Sequence, residues 1–389
     1  MNSSSISILL VSSLSDSGKI VEPVAMEYLA AYLIKHHYSV TIHCCLPDES
    51  YMQGILAAIE KNKAIVVGLT MWVINADFVV QVCKKIKQHC PKVTTVVGGY
   101  HARFAATVPD EAIEHFILGE GEISFLNLVQ SIKQDLKLDR IIEGESVQNL
   151  DELPLPARHL VDFSQFDFLE ELRNPGVVKP YYTFIFTYRG CPLSCTFCGI
   201  HEVYSKQIRK KSVQRVMEEL YEISSKYQIN AFVNEEDLLF LDKKWVLEWC
   251  DALCQFEYKF SWTCSGAVRY MDEEILLALK SAGCKYVFLG SISGSDTILK
   301  KAKVGFNTQH LQKALEVAYK AKMPISSSFM IGFPEETIQT LQETSQFLKT
   351  YRHLYWDVGM GIVRPYSGTS LLNKYRTRST QKKCFMEIV

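Results

Sequence analysis

The 389-residue chain lacks several features, and each absence excludes a class of protein. No stretch approaches the ~18 consecutive apolar residues of a membrane-spanning helix. The formal net charge is −1, so the chain has no basic excess of the kind that a general nucleic-acid binder needs. No basic, apolar leader opens the chain, and its twelve cysteines are not spaced as in secreted disulfide frameworks. We therefore expect a globular, cytoplasmic protein that binds neither nucleic acid nor membrane.

The most informative feature that is present is the spacing C-x-x-x-C-x-x-C formed by Cys191, Cys195 and Cys198. At this cysteine content the spacing is expected by chance roughly 0.01 times. Three such thiolates can hold three irons of a cubane cluster and leave the fourth iron open to a small molecule. The alternative is a structural zinc site with His201 as the fourth ligand. Zinc usually takes two separated ligand pairs, however, and the chain has no second C-x-x-C pair.

Two regions in which strand and helix patterns alternate flank an irregular stretch. Residues 1–140 alternate short apolar runs with amphipathic segments, which predicts an α/β, Rossmann-like, doubly wound parallel sheet of five strands. Residues 141–180 contain four prolines and are interpreted as an ordered connector. Residues 181–389 hold six further strand–helix repeats, which predict a partial (β/α)6 TIM-type barrel with its functional groups at the carboxyl ends of the strands.

Glycines mark the carboxyl ends of the predicted N-terminal strands, where ligands bind in sheets of this kind. They are Gly68, Gly98, Gly99, Gly119 and Gly121. Glycine lets a bulky ligand approach the backbone, although strand-to-helix turns favour glycine in any case. No G-x-G-x-x-G run follows the first strand, which argues against a nicotinamide or flavin dinucleotide.

The run TYRGCPLSCTFCG resembles the cluster motif of radical S-adenosylmethionine (radical SAM) enzymes. The later runs AGCKYVFLGSISGS, FMIGFPEET and VRPYSGTSLL resemble other strand motifs of that superfamily. The N-terminal half is similar to the cobalamin-binding domain fused to many of these enzymes, through runs such as VVGLTMWVINADFVV and FILGEGEISFLNLV. The resemblance extends from about residue 6 to residue 372.

The resemblance implies three cofactors: a [4Fe–4S] cluster, S-adenosylmethionine and cobalamin. It implies reductive cleavage of S-adenosylmethionine to a 5′-deoxyadenosyl radical, and most often a cobalamin-dependent methyltransferase acting on an unactivated centre. One alternative keeps cobalamin and the radical but catalyses rearrangement, oxidation or cyclisation without methyl transfer. A second alternative is a cluster-bearing binding or electron-transfer protein without turnover.

The resemblance also assigns residues to the S-adenosylmethionine site. Phe197 would lie beside the adenine, with core packing as the alternative. Glu235, or its neighbour Glu236, would contact the methionine ammonium group, and Arg269 would pair with the methionine carboxylate. Ser291 and Ser293 would contact the ribose, and Gly332 would shape the adenine site.

For cobalamin, the resemblance points to the strand ends of the N-terminal domain. Trp72 is a candidate for the lower face of the corrin or its nucleotide tail, with an ordinary buried tryptophan as the alternative. Gly98 and Gly99 would leave room for the tail, and Gly119 and Glu120 complete the candidate site. No D-x-H-x-x-G run is present, so no histidine is placed to bind cobalt, and His101 is interpreted as a loop residue.

The resemblance also brings out one departure from the family pattern, and it implies several partners. Where relatives commonly carry a glutamate in G-[IV]-E-S-G, this chain carries Ile292. The expected partners are a small-molecule or peptide substrate and an external electron donor such as flavodoxin or ferredoxin. Many relatives carry a further domain that caps the barrel mouth, whereas this chain ends about 17 residues after Leu372. We therefore expect either a substrate large enough to close the site itself or a partner or second subunit that caps the barrel.

A basic cluster follows the cysteine motif and consists of Lys206, Arg209, Lys210 and Lys211. It predicts either a solvated helix start or a contact with a phosphate or carboxylate.

Overall fold

The computed structural model describes residues 6–12, 21–45, 50–166, 181–234, 236 and 238–379. The chain divides into two compact units. The first unit comprises Met1–Asp167 together with Gly199–Ser205, and the second comprises Phe168–Cys198 together with Lys206–Val389. The predicted domain limits at residues 140 and 180 remain predictions.

The first unit is built on a six-stranded sheet in which every pair of neighbouring strands is parallel. Its strands are β1 (Ser7–Ser12), β2 (Ser39–Cys44), β3 (Val66–Thr70), β4 (Thr94–Gly98), β5 (His115–Leu118) and β6 (Ile141–Glu143). The spatial order is β2-β1-β3-β4-β5-β6. The sequence predicted five of these strands, and the sixth begins inside the stretch that was interpreted as a connector.

Helices cover both faces of this sheet, because alternate residues of each central strand point to opposite sides. The helices are α1 (Val24–Lys35), α2 (Tyr51–Asn62), α3 (Ala76–His89), α4 (Ala102–Ala105) and α5 (Glu122–Lys133). Leu9 and Val67 belong to a core with residues of α2 and α3, whereas Ile8 and Val66 belong to a core with residues of α1 and α5. The prediction of a doubly wound sheet is confirmed.

A buried arginine ties the segment after β6 to the start of the first unit. The Arg158 side chain is 1% exposed, and its Nε lies 3.2 Å from the Glu22 carboxylate, which is 2% exposed. The next backbone amide upstream, that of Ala157, donates to the carbonyl oxygen of Glu27 at 3.1 Å. This segment is therefore an ordered part of the first unit.

The second unit contains a second six-stranded parallel sheet in the order β14-β13-β12-β11-β10-β7. Its strands are β7 (Thr183–Ile185), β10 (Ala231–Asn234), β11 (Ser261–Gly266), β12 (Cys284–Ile292), β13 (Ile325–Ile331) and β14 (Asp357–Ile362). A short antiparallel pair, β8 (Tyr188–Arg189) with β9 (Arg209–Lys210), stands apart from it. All six predicted barrel strands are found.

Helices alternate with these strands as a partial barrel requires. They are α6 (Val213–Glu222), which a π-helical turn extends over Ile223–Tyr227, α7 (Lys243–Gln255), α8 (Glu273–Ser281), α9 (Asp296–Ala302), α10 (Thr308–Lys320), α11 (Ile338–Tyr351) and α12 (Ser370–Ser379). The aromatic core joins helix α7 to the sheet through Trp249, which lies 4.9 Å from Trp262 and 6.0 Å from Phe232 between ring centroids.

The two faces of this sheet differ in burial. Strand register places Trp262, Val287 and Phe329 on one face, and all three are fully buried. The opposite face, called the open face below, is only partly covered, and most of its side chains on the central strands are small or polar. Its members include Ser265, Phe288, Gly290, Ser326, Ser328 and Met330.

Among the described residues, no helix combines the length and the apolar character that crossing a bilayer would require.

The buried arginine gives a first prediction. Arg158→Ala should destabilise the first unit by about 3–5 kcal/mol, because it removes the buried cation whose Nε lies 3.2 Å from the Glu22 carboxylate and 4.0 Å from that of Glu27. Hydrogen exchange measured by mass spectrometry should show faster exchange in α1 and in residues 150–166. Lys320→Ala is the control, since Lys320 pairs with Glu273 at 2.7 Å on the surface and such pairs contribute below about 1 kcal/mol. Unchanged exchange in α1 of the Arg158 variant would contradict the assignment.

Candidate active site

The three cysteines lie in a loop, residues 191–198, that leaves strand β8 at the carboxyl side of the barrel sheet. Cys191, Cys195 and Cys198 are each half-buried. The amide of Cys198 donates to the carbonyl oxygen of Cys195 at 3.3 Å. The thiols are thus reachable from solvent on a short, turned segment.

Thr196 fixes this cysteine loop to two helices. The Thr196 side chain is 3% exposed, and its backbone amide donates to the carbonyl oxygen of Ala302, the last residue of α9, at 2.9 Å. Its own carbonyl oxygen accepts from the amide of Leu371 at 2.9 Å and from the Ser370 hydroxyl at 3.4 Å, both at the start of α12. The loop is held from both sides through the backbone N–H and C=O groups of this one residue.

The donor set suits a cubane cluster better than a single ion. Among the described residues, no three His, Cys, Asp or Glu side chains are gathered closely enough to hold one metal ion. Each cysteine of a cubane binds a different iron, so its sulfurs stand further apart than ligands around one ion. Three half-buried thiols in one anchored loop therefore fit the [4Fe–4S] group.

Phe197 and Ile292 form an apolar wall beside the cysteines. Both belong to a hydrophobic cluster that includes Cys195, Phe333 and Val363. The Phe197 and Phe333 rings meet edge to face, with centroids 6.1 Å apart. Phe197 therefore has the core-packing role that was considered as the alternative. Its ring is half-buried, and its contact with adenine remains a prediction.

Ile292 holds a strained backbone. Its φ is +63°, a left-handed conformation that disfavours β-branched residues and costs about 1–2 kcal/mol. The strand register shifts between Gly290 and Ile292, which marks a bulge at the end of β12. The residue that replaces the family glutamate therefore supplies apolar packing against the cysteine loop.

Glu236 is a buried carboxyl group at the end of β10. The backbone amides of Thr187 and Tyr188, which directly precede the cysteine loop, both donate to its Oε1. Burial raises the pKa of Glu236 to about 8, against the opposing effects of those amides and of Lys211. Glu236 therefore ties two chain segments together, and its neighbour Glu235 lies outside the described residues.

The two predicted ribose contacts have protein partners instead. Ser291 is fully buried, and its hydroxyl lies 2.6 Å from the Ser327 hydroxyl and 3.1 Å from that of Tyr355. Ser293 is also fully buried, with its hydroxyl 3.0 Å from that of Thr344. Their role in ribose binding remains a prediction, and this geometry gives it no support.

Arg269 and Gly332 lie at two other strand ends of the barrel sheet. Arg269 is exposed in a 3-10 turn after β11, and its guanidinium donates to the carbonyl oxygen of Gly305 at 2.9 Å. Gly332 follows β13 with φ +92°, and its amide donates to the Glu336 carboxylate. Both are at the predicted edge, and their ligand contacts remain predictions.

An exposed aromatic pair lies at the strand ends of the first unit. Trp72 follows β3, is 44% exposed and stacks on Tyr100 with ring centroids 4.8 Å apart. The loop is held by the Asn75 side chain, which accepts from the Trp72 amide at 2.6 Å and donates to the carbonyl oxygen of Thr70 at 3.2 Å. Trp72 is therefore not an ordinary buried tryptophan, and the pair suits the apolar face of a corrin.

Of the two glycines beside this pair, Gly99 leaves no room for a side chain. At Gly99, with φ +100°, a Cβ would lie 2.8 Å from the Thr70 hydroxyl and 2.9 Å from the Met71 carbonyl oxygen. Gly98 is less constrained, with the nearest atom 3.6 Å from such a Cβ. The backbone at Gly99 is thus packed closely against the end of β3, and the contact of both glycines with cobalamin remains a prediction.

Gly119 and Glu120 form the corresponding turn after β5. Gly119 has φ +112°, and Glu120 is 3% exposed. A Cβ on the facing Gly144 would lie 2.6 Å from the Glu120 carbonyl oxygen, so the two backbones are in direct contact. These residues shape the strand-end edge, and their contact with cobalamin remains a prediction.

The two histidines considered as ligands lie in the first unit. His101 is half-buried beside Phe104, with ring centroids 5.2 Å apart, and burial lowers its pKa. His201 lies in the 3-10 turn Ile200–Glu202. His101 is consistent with the loop role that the sequence indicated.

The basic cluster after the cysteine motif is not a solvated helix start. Arg209 and Lys210 form strand β9, and Arg209 is 5% exposed. Lys211 is 4% exposed and pairs with buried Glu219 at 2.7 Å. Lys210 pairs with Asp242. Lys210 and Lys211 thus form ion pairs with other residues of the chain, and these pairs hold the hairpin that returns from the cysteine loop.

Sequence reasoning missed the anchoring residues of the loop. Thr196, Ala302 and Leu371 act through backbone groups, which leave no signature in side-chain type or spacing. The burial of Glu236 and Lys211 was also missed, because charged residues are usually exposed. A carboxylate directly after a buried strand was the available signal.

Two family models match the chain. The model of the radical SAM superfamily matches residues 185–348, and that of the B12 binding domain matches residues 13–129. The first range includes the cysteine loop, and the second includes the strand ends with Trp72.

Curated relatives share most of the chain. An uncharacterized methyltransferase of Pyrococcus horikoshii is 29% identical over 90% of this chain and 77% of its own length. The cytidylyl-2-hydroxyethylphosphonate methyltransferase of Streptomyces wedmorensis is 24% identical over 84% and 72%, respectively. The anaerobic magnesium-protoporphyrin IX monomethyl ester cyclase of Rubrivivax gelatinosus is 22% identical over 85% and 62%.

Two solved structures share the fold. The radical S-adenosylmethionine methyltransferase TsrM of Kitasatospora setae superposes with a TM-score of 0.73 at 14% identity, over 94% of this chain and 75% of TsrM. The cobalamin-dependent S-adenosylmethionine radical enzyme OxsB superposes with a TM-score of 0.77 at 16% identity, over 98% and 62%.

Fold, cysteine loop and family models together define a two-domain radical enzyme of the cobalamin type. Residues 185–348 form a radical SAM domain, and a B12-binding domain, matched over residues 13–129, precedes it. Its cofactors are accordingly a [4Fe–4S] cluster, S-adenosylmethionine and cobalamin. These cofactors replace the two alternatives considered from the sequence, namely a structural zinc site at the cysteines and a cluster-bearing protein without catalytic turnover.

The buried Glu236 predicts a pH dependence of stability. A carboxyl whose folded pKa is raised stabilises the fold fully at pH values below its unfolded pKa and loses that contribution as pH rises through about 8. Between pH 5 and pH 8, the free energy of unfolding of the parent protein should therefore fall relative to that of Glu236→Gln by about 1 kcal/mol per pH unit. The melting temperatures of the two proteins, measured at each pH, report this difference. The other titratable groups near it, Lys211 and Cys264, are present in both proteins.

The control is Glu273→Gln, which changes an exposed carboxylate on α8. Its melting curve should follow that of the parent protein across the same pH range. A constant difference between parent and Glu236→Gln would show that the Glu236 carboxyl is not protonated in the folded protein.

Proposed function

We propose that this enzyme is a cobalamin-dependent methyltransferase that methylates an unactivated carbon or phosphorus centre. The observation that carries the proposal is the presence, in one chain, of an anchored three-cysteine loop and an exposed Trp72–Tyr100 pair at the strand ends of a B12-type sheet. When bound, the cluster and S-adenosylmethionine supply radical chemistry, and cobalamin supplies a methyl carrier. Two relatives named as methyltransferases support this choice.

The chain's own residues would position and protect these groups. Cys191, Cys195 and Cys198 would hold the cluster, and the backbone groups of Thr196 keep their loop in place. The apolar wall of Phe197 and Ile292 lines one side of that loop. It would keep water away from that side, which favours radical chemistry because a reactive species attacks whatever is nearest.

The open face of the barrel sheet offers space for a polar acceptor. Its hydroxyl groups include those of Ser265, Ser326 and Ser328, and small residues continue onto the edge strand β14. A Cβ at Gly361 would meet no atom within 4 Å. Hydroxyl donors in an open, concave face suit an acceptor that carries oxygen-containing groups.

The aromatic pair of the first unit would bind the corrin. Trp72 and Tyr100 present an apolar surface at the edge where doubly wound sheets bind ligands. The tight turn at Gly99 lets a large, flat ligand approach the backbone closely. An apolar lower face would also exclude water from the metal, so no histidine ligand is required.

The second candidate keeps both cofactors but catalyses rearrangement, oxidation or cyclisation without methyl transfer. The relative named as a cyclase favours it, since that protein matches 85% of this chain. The two candidates differ in one product: methyl transfer releases S-adenosylhomocysteine, and the alternative does not.

Two variants separate the roles of the two units. Protein produced with excess cobalamin and reconstituted without oxygen should carry a corrinoid spectrum and release S-adenosylhomocysteine only when the corrinoid is present. Trp72→Ala should lower corrinoid retention by about tenfold or more, because it removes the aromatic surface, and should leave the cluster absorbance intact. Cys198→Ala should lose cluster absorbance and 5′-deoxyadenosine release but retain corrinoid.

Trp356→Ala is the matched control, because Trp356 is also exposed, at 52%, but lies in the second unit. It should retain both spectra. Parent protein without any corrinoid would overturn the methyltransferase proposal, and corrinoid without S-adenosylhomocysteine would favour the second candidate.

A further inference from the structure

Four exposed lysines lie on the two chain segments that contact the cysteine loop and are called the lysine patch below. They are Lys206, Lys300, Lys301 and Lys303, all in the second unit. The net charge of the whole chain is only −1, so this concentration of one sign is local. It differs from the basic cluster considered above, whose other members are paired with carboxylates or buried.

The lysine patch is placed by the same contacts that hold the loop. Lys206 donates to the Ser194 hydroxyl, inside the loop, at 2.9 Å. Lys301 and Lys303 flank Ala302, whose carbonyl oxygen accepts the Thr196 amide at 2.9 Å. The lysines therefore approach the loop from two chain segments that are distant in sequence.

The loop itself is accessible between these lysines. Pro192 and Ser194 are exposed, and Cys191 and Cys195 are half-buried. A Cβ at Gly305 would lie 3.8 Å from Leu193, which places the turn after α9 directly beside the loop. An electron carrier that docks here would approach the cysteines without crossing the core.

Ordinary helix ends do not explain the lysine patch. Lysines in the last turn of a helix are favoured by the helix dipole, and Lys300 and Lys301 fit that rule. Lys320, at the end of α10, pairs with Glu273 at 2.7 Å. In the described part of the chain, no carboxylate oxygen lies within 4.0 Å of Lys300, Lys301 or Lys303. Lys303 lies beyond α9, and Lys206 belongs to another segment.

We propose that the lysine patch is the docking surface for an acidic, one-electron carrier protein that reduces the cluster. Charge complementarity steers such transient complexes, whose interfaces are small and polar. The carrier loses one electron and the cluster gains it, with no proton or group transferred between them. The proposal rests on the cluster that the radical SAM domain implies, and it adds the surface at which the expected electron donor docks.

The test uses a purified acidic flavodoxin in its reduced form with reconstituted protein under anaerobic conditions. Two variants carry the same change in net charge: Lys300→Glu/Lys301→Glu/Lys303→Glu in the lysine patch, and Lys285→Glu/Lys313→Glu/Lys349→Glu at exposed positions elsewhere in the second unit. Binding is measured at low and high salt, and cluster reduction is followed by stopped-flow absorbance. Reduced methyl viologen, a small cation, serves as the second reductant.

We expect parent protein to bind flavodoxin less tightly at high salt. The patch variant should lose about tenfold in affinity and in the rate of reduction by flavodoxin. Its reduction by methyl viologen should not slow. The control variant should stay within about twofold of the parent protein.

Three results would overturn the proposal: salt-independent or absent binding by the parent protein, an unaffected patch variant, or an equal loss in the control variant. Failure of methyl viologen to reduce any of the proteins would instead count against the cluster. The two failures are thereby distinguished.

Discussion

The position of the cysteine loop depends on the two backbone polar groups of one residue, Thr196. The amide and carbonyl groups of Thr196 are bound by the last residue of α9 and the first turn of α12, so the loop follows the positions of those helices. Backbone hydrogen bonds that are buried and directional fix position more strictly than apolar contacts do. Glu236 adds a second restraint just before the loop, through the amides of Thr187 and Tyr188. The cysteines are therefore held in a frame of contacts made by the protein itself.

Much of the fold could be predicted from the sequence because the central strands of the first unit are continuous, buried apolar runs, and all six barrel strands are found where the sequence predicts them. Strand β6 was missed because three residues, two of them exposed, carry no periodic signal. The cysteines were identified by spacing alone, since their chemistry depends on local geometry. The orientation of Ser291 could not be predicted, because the bulge before Ile292 shifts the register and side-chain direction alternates with every residue.

Charged residues were the least predictable part of the candidate site. Arg158, Lys211 and Glu236 are all buried, and nothing in their neighbours' composition distinguishes them from solvated residues. Their burial depends on partners distant in sequence, such as Glu22 for Arg158. A single sequence gives residue type but not pairing, so it indicated a basic cluster after the cysteines where the structure has internal ion pairs. The exposed lysines of α9 became visible only when the helix was placed beside the loop.

The way in which the chain divides into units has consequences for its synthesis on the ribosome and for recombination of its gene. Gly199–Ser205, which directly follows the third cysteine, belongs to the first unit, and Glu202 in it pairs with Arg103 at 3.4 Å. The first unit thus cannot be completed on the ribosome until the cysteine loop has already emerged. A recombination event that replaced everything after residue 167 would also replace Gly199–Ser205, which belongs to the first unit. The two units are therefore interlaced along the chain, and neither could be exchanged without altering the other.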